Sequence, residues 1–250
     1  MWSYHKSRQS IAGFYMNHEP QLSIGWESAR HGKLTAGSLK YFLNYADLDE
    51  SSRLKLAYDV MYGKIPSRPE DDSISSENIA RSAYCQQFVH PAHQTAVIPG
   101  LCVPDPFDPF YNFIPENKRF MLLNMCASPD LLICDRNNEW MKMVEIKCPQ
   151  KGELYPAVLR KNRPLPKHSL QCQWYMGILG CSVGDYYLYH PENTYNVSVE
   201  NTGLWKSRIM NCIDFISHYI VHEPVITCMN IPEQLEDYYL TSLQKFLTNN

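Results

Sequence analysis

The chain is predicted to be an α/β protein in which helices flank a sheet. Three observations carry this expectation. Helix-spaced apolar residues recur between about residue 35 and residue 88, apolar strand-like runs joined by a turn follow to about residue 148, and a helix, two further strand-like runs and two closing helices complete the order. At 250 residues, with 44% apolar and 20% charged side chains, the chain is long enough to bury a large core.

The first 25 residues have little periodicity and are expected to form a loose or wrapped arm. In "TAGSLKYFLNYADL", Thr35 can cap a helix that places Leu39, Phe42 and Leu43 on one face. "SSRLKLAYDVMYG" reads as a second helix, capped by Ser51 or Ser52 and ended by Gly63. "ENIARSAYCQQF" is a third, with Glu77, Ala80 and Tyr84 on one face. Five prolines in "TAVIPGLCVPDPFDPFYNFIPENK" exclude a helix and favour a short strand followed by an irregular loop. "RFMLLNMCASPDLLICD" and "EWMKMVEIKCP" contain strands of a hairpin that turns at "DRNN". A polar, basic segment then leads to the helix "SLQCQWYMGILG", closed by Gly180. "GDYYLYHP" and "YNVSVEN" resemble a pair of edge strands, and "GLWKSRIMNCIDFISHYI" and "PEQLEDYYLTSLQKFL" are helices.

Composition narrows the function. No apolar run reaches the ~18 residues of a membrane span, and the amino terminus lacks the apolar stretch of a signal peptide, so the expected location is intracellular, in cytoplasm or nucleus, with no membrane partner. Nine cysteines without a C-x-x-C pair suit reduced, mostly buried thiols better than a disulfide framework. A net charge of −3 argues against a generally basic nucleic-acid binder but permits a local basic groove.

Chemistry concentrates in "KMVEIKCPQKG". Residues two apart on a strand share a face, so Glu145 and Lys147 project together while Val144 and Ile146 face the other layer. Asp130, at the start of the preceding strand, is brought beside Glu145 when the chain bends back through Asp135 to Asn138. Two convergent carboxylates are hard-oxygen ligands suited to Mg²⁺ or Mn²⁺, and a lysine beside them can orient water or stabilise charge on a phosphate. The same E-x-K tripeptide also serves as a plain ion pair on an exposed edge strand.

"SPD" at 128–130, "EIKCP" at 145–149 and "QCQWYMGILG" at 171–180, preceded by "RHGKLTAGSLK" and "ENIARSAY", resemble in order the motifs of the PD-(D/E)-x-K nucleases, specifically the lambda-exonuclease-like or YqaJ-type viral recombinase family. The resemblance runs from about residue 26 to about residue 190. It implies a restriction-endonuclease-like core with a central mixed sheet flanked by helices. The whole of 1–250 would be one nuclease domain, with an arm at 1–25, a core at 26–190, and an edge strand and helices at 191–250.

The resemblance further implies that Asp130, Glu145 and the Ile146 carbonyl are metal ligands, that Lys147 serves the attacking water, and that Glu77 is the helix-borne acid of the centre. Glu77 could equally be a first-turn glutamate favoured by the helix dipole. Gln171 would support the catalytic group through hydrogen bonds, or simply face solvent. Arg30, with Thr35 and Ser38, would hold a 5′ phosphate, although Gly37 stands where the family's T-A-S has serine. The basic run Lys151, Arg160, Lys161, Arg163 and Lys167 would contact DNA phosphates or form a solvated loop.

The implied activity is a 5′→3′ exonuclease on double-stranded DNA ends, in recombination or viral DNA processing. A single-strand annealing protein and further copies in a ring are candidate partners. The same centre also fits an endonuclease or an RNA-cleaving relative. A non-catalytic DNA-binding recombination factor is disfavoured by the intact Asp130, Glu145 and Lys147. An iron–sulfur nuclease would need clustered cysteines near the carboxyl end, where only Cys212 and Cys228 lie.

Overall fold

The computed structural model describes residues 1–6, 12–42, 47–62, 71–149, 154–203, 205–222 and 230–249. Leu43, Gly63, Lys151 and Cys228 lie outside the described residues. The central sheet has five strands: β3 (Gln94–Val97), β5 (Leu131–Asp135), β6 (Trp140–Lys147), β7 (Val183–His190) and β8 (Asn193–Glu200), in the order β3-β5-β6-β7-β8. β6 and β7 run parallel and the other neighbours antiparallel, so the sheet is mixed as expected. A parallel neighbour requires a crossover. Helices α4 (Leu154–Lys161) and α5 (Pro166–Leu179) supply it, and Gly180 ends α5 with φ of 66°, a left-handed conformation that glycine adopts freely.

Alternation along β6 divides the two faces. Val144 and Ile146 join Leu131, Ile133 and Tyr187 beneath Ala80 and Tyr84 of α3 (Asp71–Phe88). Met143 lies instead in the larger core, with Tyr186, Leu188 and the α5 residues Trp174 and Met176. Trp174 Nε1 donates to the Cys126 carbonyl at 2.9 Å, which fixes α5 to the segment leading into Asp130. No helix among the described residues is long and apolar enough to cross a membrane.

Several local expectations change. The expected arm supplies β1 (Trp2–His5) and β2 (Phe14–Asn17), which pair with each other and with β4 (Cys102–Pro104) in a second, three-stranded sheet. Trp2, Phe14 and Met16 are buried there, so burial organises a segment too short to show periodicity. Residues Ile24–Arg30 form α1, with Ser23 Oγ accepting from Trp26 N at 3.1 Å. Ala36–Phe42 is a 3₁₀ helix that buries Leu39 and Phe42, whereas an α-helix was expected. α2 (Glu50–Tyr62) is capped by Asp49, whose Oδ1 accepts from Ser52 N at 2.7 Å, in place of Ser51 or Ser52. Glu116–Asn124 is a 3₁₀ helix, so the first half of "RFMLLNMCASPDLLICD" is not strand. β7 is interior, and of the expected edge pair only β8 lies at an edge. The closing helices are α6 (Trp205–Tyr219) and α7 (Glu236–Asn249).

Candidate active site

The β5–β6 hairpin positions the central acids. Its turn is held by Asp135, whose Oδ1 accepts from Asn137 N at 2.8 Å and Glu139 N at 2.9 Å, with Asn138 left-handed at φ 59°. At the other end Asp130 N donates to the Val144 carbonyl at 3.1 Å, and Asp130 Oδ2 accepts from Ile146 N at 2.6 Å. These two bonds place the Asp130 carboxyl beside Glu145, as the sequence suggested. Glu145 is 1% exposed and forms an ion pair with Lys147. The pair therefore faces the protein interior and does not decorate an edge.

Glu77 joins from α3. Because the helix begins at Asp71, Glu77 is well past the first turn and receives no special help from the amino-terminal dipole. The sequence-level alternative for this residue falls. Glu77 pairs with Arg81 one turn later, and Arg81 Nη2 also lies 3.9 Å from Asp130 Oδ1. Arg81 Nη2 donates to Gln21 Oε1 at 3.0 Å, and Gln21 Nε2 is in turn 3.1 Å from each of Ser128 Oγ and the Pro99 and Pro129 carbonyls. The expected arm thus buttresses the "SPD" turn.

Burial and mutual repulsion govern the charges. Burial, then the Glu145 carboxylate, pushes the Asp130 carboxyl up to about 7, against the opposing pull of Lys147, the Ile146 N–H and Arg81. Burial also raises Glu77, with Asp130 adding to it, and raises Glu145, where Lys147 opposes it. Lys147 is raised because Glu145 and Asp130 outweigh the desolvation that would lower it. Asp130 is within hydrogen-bonding reach of both glutamates, so the three carboxyls stand in a row with a cation at each end. Among the described residues no three acidic, histidine or cysteine side chains close around a point to form a cage.

An open cleft of about 670 Å³ gathers the site. Glu77, Arg81 and Asp130 line one side, Arg30, Thr35 and Gly37 another, and Lys167, His168 and Gln171 of α5 a third. Glu145 and Lys147 back the cleft through Asp130. Arg30 stacks its guanidinium 4.3 Å from the Trp26 ring. Gln171 Nε2 donates to Tyr175 OH at 2.9 Å, while Gln173 is structural, bonding the Glu200 carbonyl and Thr202. Ser38 is half-buried, is not among the cleft-lining residues, and bonds Thr35 through its backbone. Arg160 and Lys161, at the end of α4, and Arg163 are exposed and do not line the cleft. The basic run is therefore partly helical, and Lys167 alone of its described members reaches the cleft wall.

Sequence reasoning missed Arg81, Gln21 and His168. Arg81 was readable as the i+4 partner of Glu77. Gln21 sits in the stretch without periodicity, where nothing marked it. His168, buried against Tyr186 with Nδ1 2.5 Å from its hydroxyl, is lowered to about 4 by burial and then by Lys147 and Lys167, so it is neutral near pH 7.

The donor set fits a hard divalent cation. Asp130 and Glu145 are adjacent oxygen donors brought together by the hairpin, and Mg²⁺ ordinarily takes one or two carboxylates with the remaining positions left to water and phosphate. A full cage is not required for such a site.

No protein-family model matches the chain, and no curated protein sequence does. Its structure is similar to the crystal structure of an alkaline exonuclease, LHK-Exo, from Laribacter hongkongensis, with a TM-score of 0.59 at 18% identity over 91% of this chain and 100% of that one. The same exonuclease in complex with dAMP matches with the same values. At this identity the likeness is one of architecture: the chain has the mixed α/β, restriction-endonuclease-like fold of an alkaline exonuclease.

Proposed function

We propose that the chain is a metal-dependent deoxyribonuclease that digests one strand of duplex DNA from its 5′ end. The observation that carries this reading is Asp130, set beside the Glu145–Lys147 pair on one hairpin and lining a cleft that Arg30 also lines. A bound Mg²⁺ or Mn²⁺ would supply Lewis acidity toward the scissile phosphate and an activated water. Asp130, Glu145 and the Ile146 carbonyl would hold it, with Glu77 as a further acid. Lys147, kept protonated by its carboxylate neighbours, presents a positive charge that steadies negative charge developing on phosphate. Gln171, tied to Tyr175, orients polar groups on the α5 side of the cleft. Arg30 supplies a fork of donors for a terminal phosphate, which favours a 5′-phosphate over a hydroxyl.

The partner is accordingly a double-stranded DNA end, in recombination or viral DNA processing inside a cell, with a single-strand annealing protein and further copies of the chain as candidate partners. Digestion of end-labelled linear, nicked and closed circular duplexes with Mg²⁺ tests the reading. Label should leave linear ends while closed circles stay intact. Cutting of closed circles would make the protein an endonuclease, and inertness toward all three substrates would overturn the proposal.

A further inference from the structure

Glu77 and Asp130 line the cleft with Glu145 buried behind them in the same row, and the two cations beside the row differ in what else holds them. Lys147 has Glu145 as its hydrogen-bonded partner. Arg81 has three: Glu77, Gln21 Oε1 at 3.0 Å, and Asn78 Oδ1, which accepts from Nη1 at 3.1 Å. Its Nε is buried with no hydrogen-bond partner among the described residues. The guanidinium can therefore let go of Glu77 and remain anchored through Gln21 and Asn78, whereas Lys147 has no such second footing among the described residues. Glu77 in turn faces Arg81 on one side and Asp130 on the other. While Arg81 holds one of its oxygens, Glu77 has less charge to lend to anything else.

We propose that Arg81 is a positioning residue that competes with the divalent cation for Glu77, so that the strength of the Arg81–Glu77 pair sets how tightly the row of carboxyls takes up the ion. The proposal rests on the metal-dependent reading above. In this account Gln21 and Asn78 are the parking sites of the guanidinium, and Gln21 links ion uptake to the "SPD" turn through Ser128 and Pro129. Replacing Arg81 by a neutral side chain removes the competitor, together with its 3.9 Å contact to Asp130, and leaves the Glu145–Lys147 pair in place.

The test is Mn²⁺ binding to the full chain without DNA, followed by electron paramagnetic resonance of the free ion. Arg81→Gln should bind Mn²⁺ about fivefold or more tightly than wild type, the lower end of an ordinary coupling between two sites. Arg81→Lys, which keeps a charge but loses the fork, should fall between them. The gain should vanish when Arg81→Gln is combined with Glu77→Gln. Melting in excess chelator, where the Arg81→Gln variant should unfold at lower temperature than wild type, guards against misreading a folding defect. Unchanged or weaker Mn²⁺ binding by Arg81→Gln and Arg81→Lys overturns the proposal and leaves the nuclease reading standing. Wild-type protein that binds no Mn²⁺ overturns both.

Discussion

Replacing Asp130 by asparagine should make the protein more stable and abolish cleavage. Folding moves this carboxyl from an ordinary value of 3.8 to about 7, chiefly by burial and next by the neighbouring Glu145. A gap of about three pH units at about 1.4 kcal/mol each sets an upper limit of about 4 kcal/mol. The side chain keeps 15% exposure, and solvent screening brings the expected effect to about 2 kcal/mol. Because the folded form binds its proton more tightly than the unfolded form, the favourable contribution is complete below pH 3.8 and lost as pH rises through about 7. The advantage of Asp130→Asn should therefore be absent near pH 4, grow through pH 7, and be full by pH 8.

The asparagine oxygen can still accept from Ile146 N, so the hairpin closure survives. His168 slopes the other way: its folded value is depressed to about 4, so its contribution is present above its ordinary value of 6.5 and lost as pH falls. The two slopes overlap, and only the difference between variant and wild type isolates Asp130. Urea unfolding in excess chelator from pH 4 to pH 8 supplies that difference, and added Mn²⁺ should narrow it by stabilising wild type alone. A variant that is equally or less stable than wild type at pH 8 in chelator would refute the reasoning.

Further substitutions are informative. Lys147→Ala should cost about 3–5 kcal/mol, since it strands the buried Glu145 carboxylate; adding Glu145→Gln should recover most of that stability in chemical denaturation but no activity. Tyr84→Phe removes the donor to Asp185 Oδ2 at 2.5 Å, leaves Lys142 at 2.6 Å, and should cost about 1–3 kcal/mol in thermal melts with little loss of cleavage. Arg30→Ala should reduce the preference for 5′-phosphorylated over 5′-hydroxyl duplexes by on the order of 1.5–3 kcal/mol, measured as a ratio of initial rates. Gly37→Ser should be accommodated, because a Cβ at Gly37 meets only Thr35 Oγ1 at an ordinary 3.5 Å, and should sharpen that same preference; an unchanged ratio would separate this hydroxyl from end recognition.

The sequence revealed most where one residue's chemistry forces its neighbours. Two charges at alternate positions in an apolar strand require a polar pocket on one face, and Glu145 and Lys147 occupy one. The turn at Asp135 to Asn138 required Asp130 to return beside that pocket, and it does. Helix α5 was legible from Gly180 and its apolar run, although it begins at Pro166, three residues before the expected start at Ser169. The amino-terminal strands were not legible, because four-residue strands carry too little alternation and owe their form to β4, some ninety residues away. The 3₁₀ segments at Ala36–Phe42 and Glu116–Asn124 were missed for a related reason: their apolar spacing suits several backbone forms, and tertiary burial selects one.

That distinction explains why the carboxyls were found and their partners were not. Asp130, Glu145 and Lys147 lie on one hairpin, so local geometry alone brings them together. Arg81 and Gln21 reach the same point from α3 and from the loop after β2, and only the folded chain joins them. Glu145, nearly without solvent contact, depends on Lys147 for compensation, whereas Asp130 draws on Lys147, on the Ile146 N–H and on an arginine that Gln21 holds from outside the hairpin. A change at Gln21 should consequently disturb the Asp130 end of the row and spare the Glu145 end. Gln21→Ala is therefore expected to alter Mn²⁺ affinity while leaving the stability penalty of Lys147→Ala nearly unchanged, because Gln21 reaches Lys147 only through Arg81 and Asp130, and changes that share no direct contact combine nearly additively. A changed Lys147→Ala penalty in the Gln21→Ala background would mean that the row of carboxyls responds as one unit.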